Sequence, residues 1–177
     1  MHEIGWSSEF KDKETGELVL FSSESACELL DKKISVIKEE CMSDVEPTLF
    51  VSSSEGVIDI WNMSAKWSDR PELEHIPNFR YEVGVTKPYK GTRKNPKPAH
   101  FYNLFIHMME NYDLVISSDG LEADDTVCIA QIAAMERGEE TIVCSRDKDL
   151  RIVKGNHYSW ECGLQAAIGP VTTDSLG

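Results

Sequence analysis

Apolar residues along this chain recur at two spacings, and the switches between them mark its elements. Ala26, Leu29, Leu30, Ile34, Ile37 and Cys41 return every three or four positions, the repeat that lines one face of a helix. With Ser25 and Glu28 set as a capping box, the spacing predicts a helix over about 25–42. Pro47, Thr48, Leu49, Phe50 and Val51 form a short, partly β-branched run closed by Ser52, Ser53, Ser54, Glu55 and Gly56, which predicts a buried strand and then a loop. Before the first helix, polar SSEFKDKETGE and the short run LVLFSS give no clear element. Residues 57–80 carry Trp61, Trp67 and two prolines without clean periodicity and are expected to form an irregular excursion.

The second half is more regular. Phe101, Leu104, Phe105, Met108 and Met109 predict a helix over about 98–111. DLVISS (113–118) reads as a strand and DGLEADD as a turn, and Val127, Ile129, Ala130, Ile132 and Ala133 read as a helix closed by Gly138. TIVCS (141–145) and HYSWEC (157–162) are two further strands. Strands alternating with helices predict an α/β fold with a parallel sheet. The length of 177 residues fits a single domain over 1–177.

Charge narrows the function classes. The 31 acidic residues outnumber the 18 basic ones, a net charge of −13 spread along the chain, which excludes a uniformly basic nucleic-acid binder. No apolar run approaches the roughly 20 residues of a membrane span, and MHEIGWSSEF is not a signal peptide, so a cytoplasmic protein with no membrane partner is expected. Five cysteines, odd in number and without a C-x-x-C pair, argue against a disulfide framework or a structural zinc site and predict reduced, mostly buried thiols.

Candidate chemistry gathers where strands lead into helices, because the working crevice of an α/β sheet lies beyond the carboxyl ends of its strands. Glu122, Asp124 and Asp125 follow the strand at 113–118, and Glu122 and Asp125, three apart, share one face of an opening helical turn. Asp147 and Asp149 follow the strand at 141–145 and share a face if the chain there is still extended. Five such carboxylates suit Mg²⁺ or Mn²⁺, and two ions about 4 Å apart activate water and stabilise the leaving oxygen in phosphodiester hydrolysis. Either cluster alone has a plainer explanation, a helix-dipole preference for the first and an N-cap or turn for the second. Their conjunction carries the expectation. KPYKGTRKNPK (87–97) adds a basic loop in which Lys90 and Arg93 are suited to phosphate and Tyr89 to base stacking. Arg146, Lys148, Arg151 and Lys154 extend the basic strip. His100 and His107 lack a third ligand, Cys144 has no histidine near it in sequence and reads as a buried thiol, and Ser52–Gly56 lacks the pattern of a phosphate-binding P-loop.

YKGTRKNPKP (89–98), DGLEADDTVCIAQ (119–131) and TIVCSRDKDL (141–150), in that order, resemble the flap-endonuclease-like 5′-to-3′ exonucleases, especially their phage-type exonuclease/ribonuclease H branch, over about residues 79–162. The resemblance implies a Rossmann-like (PIN/5′-nuclease type) α/β domain with a basic arch that threads a single strand. It also implies a two-metal site, Mg²⁺ or Mn²⁺, that cuts DNA near 5′ ends or flaps, with RNA in RNA–DNA hybrids as a further substrate, in phage replication. Glu122, Asp124, Asp125, Asp147 and Asp149 would be the metal ligands. Lys90 and Arg93 would steer the scissile phosphate beside Tyr89, with Lys90 counted among the catalytic residues and Lys94 and Lys97 completing the nucleic-acid contact.

Two positions depart from the family pattern. Members open on a hydrophobic strand ending in an aspartate, where this chain has MHEIGW, and many carry an aspartate after the second strand, where it has Ser52–Ser54. The duplex-gripping helical segment is expected to lie beyond Gly177, so the chain reads as incomplete at both ends. Two competing readings follow: a nucleic-acid-binding protein that kept the fold without the chemistry, and a small Mg²⁺-dependent α/β phosphatase, which the basic loop with Tyr89 disfavours.

Overall fold

Helix α1 (Ser23–Glu40) starts earlier than its apolar spacing suggests, because Ser22 takes the N-cap. Its Oγ accepts the Ser25 N–H at 3.2 Å, which leaves Ser23 and Glu24 helical and puts an acid in the first turn, where the helix dipole favours it. The capping box expected at Ser25 is therefore not the start of the helix. The computed structural model describes residues 9–83 and 96–174.

The face of α1 formed by Ala26, Leu30 and Ile34 packs on α4 (Phe101–Asn111), whose Leu104 and Phe105 are fully buried. Asp31 closes the rim of this interface: its Oδ1 lies 2.7 Å from His107 Nε2 and accepts the Tyr112 hydroxyl at 2.6 Å. Burial, and then the bond to Asp31, push the Tyr112 hydroxyl pKa upward. Against this helix pair lie β3 (Thr48–Ser52) and β4 (Asp113–Ser117), parallel and in register from Thr48 beside Asp113 to Ser52 beside Ser117. The Thr48 hydroxyl donates to Asp113 Oδ2 at 2.7 Å and pins that register.

Between β3 and α4 the irregular excursion is corrected. Glu55–Ala65 is a helix, α2, burying Val57, Ile58, Trp61 and Ala65. Gly56, Asp59, Asn62 and Ser64, all weak helix formers, mask this face in the sequence. The irregular stretch that follows is tied back onto α2. Trp61 Nε1 donates to Pro71 O at 2.9 Å, the Asn62 amide exchanges two 2.8 Å bonds with Leu73, and Arg70 caps Met109 O at 2.8 Å while lying over the Trp61 ring. It ends in the single turn α3 (Arg80–Val83).

After α5 (Ala123–Glu136) come β5 (Ile142–Cys144), a 3₁₀ turn (Lys148–Ile152), β6 (Gly155–Ser159) and β7 (Ile168–Thr173). β5 and β6 are parallel, and β7 runs antiparallel to β6. β7 is a strand that the sequence spacing did not place, and β6 sits earlier than 157–162. LVL is also a strand, β2 (Leu18–Leu20), paired antiparallel with β1 (Glu9–Lys11) around a turn in which Asp12 Oδ1 accepts the N–H groups of Glu14 and Thr15. Among the described residues the fold is thus a mixed α/β arrangement with parallel strand pairs and flanking helices. Its strands form three separate ladders, not one continuous sheet. No helix among these residues is long and apolar enough to cross a membrane.

Gly155 opens β6 at φ +125°, and a Cβ there would stand 1.9 Å from Gln131 Nε2. Gln131 is buried and held from two sides, accepting from Thr141 at 2.6 Å and donating to Lys154 O at 3.3 Å. Gly155→Ala is therefore expected to cost about 2 kcal/mol through backbone strain and displacement of that amide. Urea unfolding checks this, and a change below about 0.5 kcal/mol would show that Gln131 yields freely.

Candidate metal and nucleic-acid site

The turn after β4 is built by two left-handed residues, Asp119 (φ 56°) and Gly120 (φ 75°). A side chain at Gly120 would meet Pro77 O at 3.0 Å, so glycine lets the 77–79 backbone lie directly on this turn. That close approach delivers Arg80. Asn78 Oδ1 accepts the Arg80 N–H at 2.9 Å, and the guanidinium grips Asp125 with two 2.9 Å bonds, Nη1 to Oδ2 and Nη2 to Oδ1. Nη1 also lies 3.8 Å from Glu122 Oε2. The fork geometry is the strong form of an arginine–carboxylate pair.

Asp125 has a second task, since its Oδ2 accepts the Glu122 N–H at 3.0 Å and satisfies a free donor at the start of α5. The hydrogen bonds from Arg80, and then that from the Glu122 backbone, hold the Asp125 carboxyl below its ordinary range against the opposing effect of burial. Another of these donors is met from β3, where Ser52 Oγ accepts the Ala123 N–H at 2.9 Å. Thr126 donates to the buried Ser117 hydroxyl at 2.9 Å. The carboxyl ends of β3 and β4 are thereby bolted to the start of α5. Glu122 and Asp125 share one face of the opening turn, as their spacing requires, and Asp124 is exposed beside them.

After β5 the chain does not stay extended, so Asp147 and Asp149 do not share a face by the two-residue repeat. Asp147 is the N-cap of the 3₁₀ turn, and its Oδ1 accepts the Asp149 N–H at 2.9 Å. Both are exposed. Arg146 donates to Cys162 O, at 3.3 Å, and to the Gln165 amide oxygen.

Of the basic loop, Lys97 is described. Its ammonium donates to Tyr102 OH at 2.9 Å and Ser54 Oγ at 3.2 Å and lies 4.6 Å from the Phe101 ring centroid. The end of the basic stretch thus sits at the carboxyl end of β3. Tyr89, Lys90, Arg93 and Lys94 lie outside the described residues. The two histidines are structural, with His100 Nε2 at 2.7 Å from Phe21 O and His107 on Asp31.

In donor type the five carboxylates suit a hard divalent cation. Their arrangement does not yet gather them: among the described residues no group of three or more His, Cys, Asp or Glu is placed to hold a metal ion. Arg80 occupies the carboxylates of Glu122 and Asp125 instead. Arg80 and Ser52 were not legible as site residues, since each reaches its partner through the fold, Arg80 across 45 positions and Ser52 across 71.

No protein-family model matches the chain, and no curated protein sequence matches it. Among solved structures, a bacteriophage T5 flap endonuclease, in a pseudo-enzyme–product complex with DNA and metal ions, is similar at 12% sequence identity and a TM-score of 0.41. The alignment covers 89% of this chain and 52% of that one, so this chain spans about half the length of that protein.

Proposed function

We propose that the chain is a divalent-metal-dependent 5′-nuclease domain that hydrolyses phosphodiester bonds at 5′ ends or flaps of DNA, with RNA–DNA hybrids as a second substrate class. The observation that supports this most is the meeting of acid and base at the strand ends. Glu122, Asp124 and Asp125 stand after β4, while Lys97 is held at the carboxyl end of the adjoining β3. Asp147 and Asp149 after β5 complete the acidic set in this reading. Glu122, Asp124, Asp125, Asp147 and Asp149 would hold Mg²⁺ or Mn²⁺, which supplies Lewis acidity and a water of lowered pKa. The chain's own part is positional: α5 fixes the first acids, Ser52 and Ser117 fix α5, and Lys97, with Tyr89, Lys90, Arg93 and Lys94, takes the phosphate backbone. A local basic strip serves an otherwise acidic protein because binding follows the local field.

A second reading, a nucleic-acid-binding protein of this fold without chemistry, is favoured by one observation. Arg80 already neutralises Asp125 and approaches Glu122, as a metal ion would.

Thermal unfolding with and without millimolar Mn²⁺, alongside cleavage of a 5′-labelled flap, separates the two. The nuclease reading expects a rise of a few degrees by mass action, lost in the Asp147→Ala plus Asp149→Ala variant, together with metal-dependent cleavage by the unmodified chain. Binding of the flap in Ca²⁺ without a Mn²⁺ shift or cleavage would sink it in favour of the second.

A further inference from the structure

Cys41 and Cys144 stand 103 positions apart in sequence, yet their Sγ atoms lie 3.7 Å from one another. The pair belongs to neither the carboxylate cluster nor the basic loop. Cys41 is the C-cap of α1, and Cys144 is the last residue of β5. Both are half-buried, and Cys27, Cys128 and Cys162 are free thiols without a comparable sulfur neighbour among the described residues.

We propose that Cys41 and Cys144 form a reversible disulfide site, closed by a hydroperoxide oxidant, that ties the C-terminal end of α1 to the carboxyl end of β5. A disulfide needs its sulfurs at about 2.0 Å, so they must approach by about 1.7 Å from their present contact. Cys41 is the last residue to bond back in the helical pattern, and Met42 beside it lies in the left-handed region (φ 51°), where the helix ends. Side-chain rotation there supplies the movement more easily than it would inside β5.

The two thiols have different roles. Burial pushes Cys144 up to about 12, with Cys41 adding to the shift. Cys41 is raised by burial too, but the contact with Cys144 favours its thiolate. Cys41, at the helix end where its side chain turns more freely, is the sulfur that attacks first. Its thiolate attacks the peroxide, forming an S–O bond as the O–O bond breaks, and water or an alcohol leaves. Cys144 then attacks the Cys41 sulfur, its proton leaving with the hydroxide as a second water as the S–S bond forms. Two thiols and one hydroperoxide give one disulfide, one alcohol or water, and one further water. Neither thiol is strongly activated, so proximity and not intrinsic reactivity selects this pair over the other three cysteines.

The cross-link joins two parts that share no strand ladder. α1 belongs to the core cluster with α4 and β3, whereas β5 belongs to the β5–β7 sheet. It also holds the strand end from which Ser145, Arg146 and Asp147 lead into the 3₁₀ turn. Closing so long a segment constrains the unfolded chain strongly, and for a chain of this size a rise in melting temperature of about 5–10 °C follows.

The test uses the full chain, reduced, freed of reductant, treated with hydrogen peroxide and alkylated before non-reducing peptide mapping. The expected product is a Cys41–Cys144 cross-linked peptide with Cys27, Cys128 and Cys162 alkylated. The melting temperature should rise, the rise should reverse with dithiothreitol, and Cys41→Ser should abolish both. Five alkylated thiols after treatment, or cross-links dominated by the other cysteines, would overturn the proposal. So would a Cys41–Cys144 bond that leaves the melting temperature unchanged or lowers it. The map of the unmodified chain needs no variant to fold, and none of these readouts depends on nuclease activity.

Discussion

Phe105→Ala is expected to remove about 3–5 kcal/mol of stability. Phe105 is among the largest fully buried side chains and lies in the cluster shared by α1, α4, β3 and α2, with Leu104 and the α1 residues Ala26, Leu30 and Ile34. Losing the ring removes apolar transfer energy and leaves a cavity in an interface whose helices are anchored at both ends and cannot simply collapse inward. Since a domain of this kind retains only about 5–15 kcal/mol in total, the variant should sit near its unfolding midpoint on mild heating. Urea unfolding decides the matter. The midpoint should fall sharply with little change in slope, and a loss under about 1 kcal/mol would mean that the helix pair repacks around the gap.

Asp125→Ala is expected to cost about 2–3 kcal/mol, combining a lost helix-start acceptor with a bidentate ion pair that is half-buried and so discounted for solvent. The pH dependence has a definite sign. Arg80 depresses the folded pKa of Asp125. The charge-dependent part of its contribution is therefore fully present above the unfolded value near 4, and it is lost as pH falls through the lower folded value. The stability gap between the unmodified chain and Asp125→Ala should be widest at neutral pH and narrow below about pH 4. Asp125→Asn, which keeps an acceptor for the Glu122 N–H but loses the charge, should fall between the two. A gap of equal size at pH 3 and pH 7 would assign the effect to packing and not to the ion pair.

Sequence spacing identified α1, β3, α4, β4, α5 and β5, because each carries its burial pattern in its own residues. It missed α2, whose Val57–Ile58–Trp61–Ala65 face is interrupted by Gly56, Asp59 and Asn62, residues that read as loop when burial is unknown. It also missed β7, where polar and β-branched residues of low burial make a strand through backbone pairing with β6. At the candidate site the positions of Glu122, Asp124 and Asp125 after a strand were legible, since strand and turn signals are local. Their commitments were not. The Arg80–Asp125 pair depends on Gly120 admitting Pro77, and the Ser52–Ala123 bond depends on the β3–β4 register. Asp147 and Asp149 show the opposite failure, a correct location with the wrong local geometry, because the chain turns into a 3₁₀ helix at once.

The bonds that His107 and Tyr112 make to Asp31 set how far α4 can slide along α1. Apolar contact is non-directional and tolerates such sliding, whereas hydrogen bonds are steeply directional. A slip of one residue, about 1.5 Å along the axis, would break both bonds at once while leaving much of the greasy face covered. Asp31 therefore acts as a detent on an otherwise slippery interface. Tyr112 alone separates α4 from β4, so the position set at Asp31 is passed almost without slack to the strand whose far end launches Glu122, Asp124 and Asp125. Axial precision at the acids thus originates at the opposite end of β4, in a carboxylate that takes no part in the site.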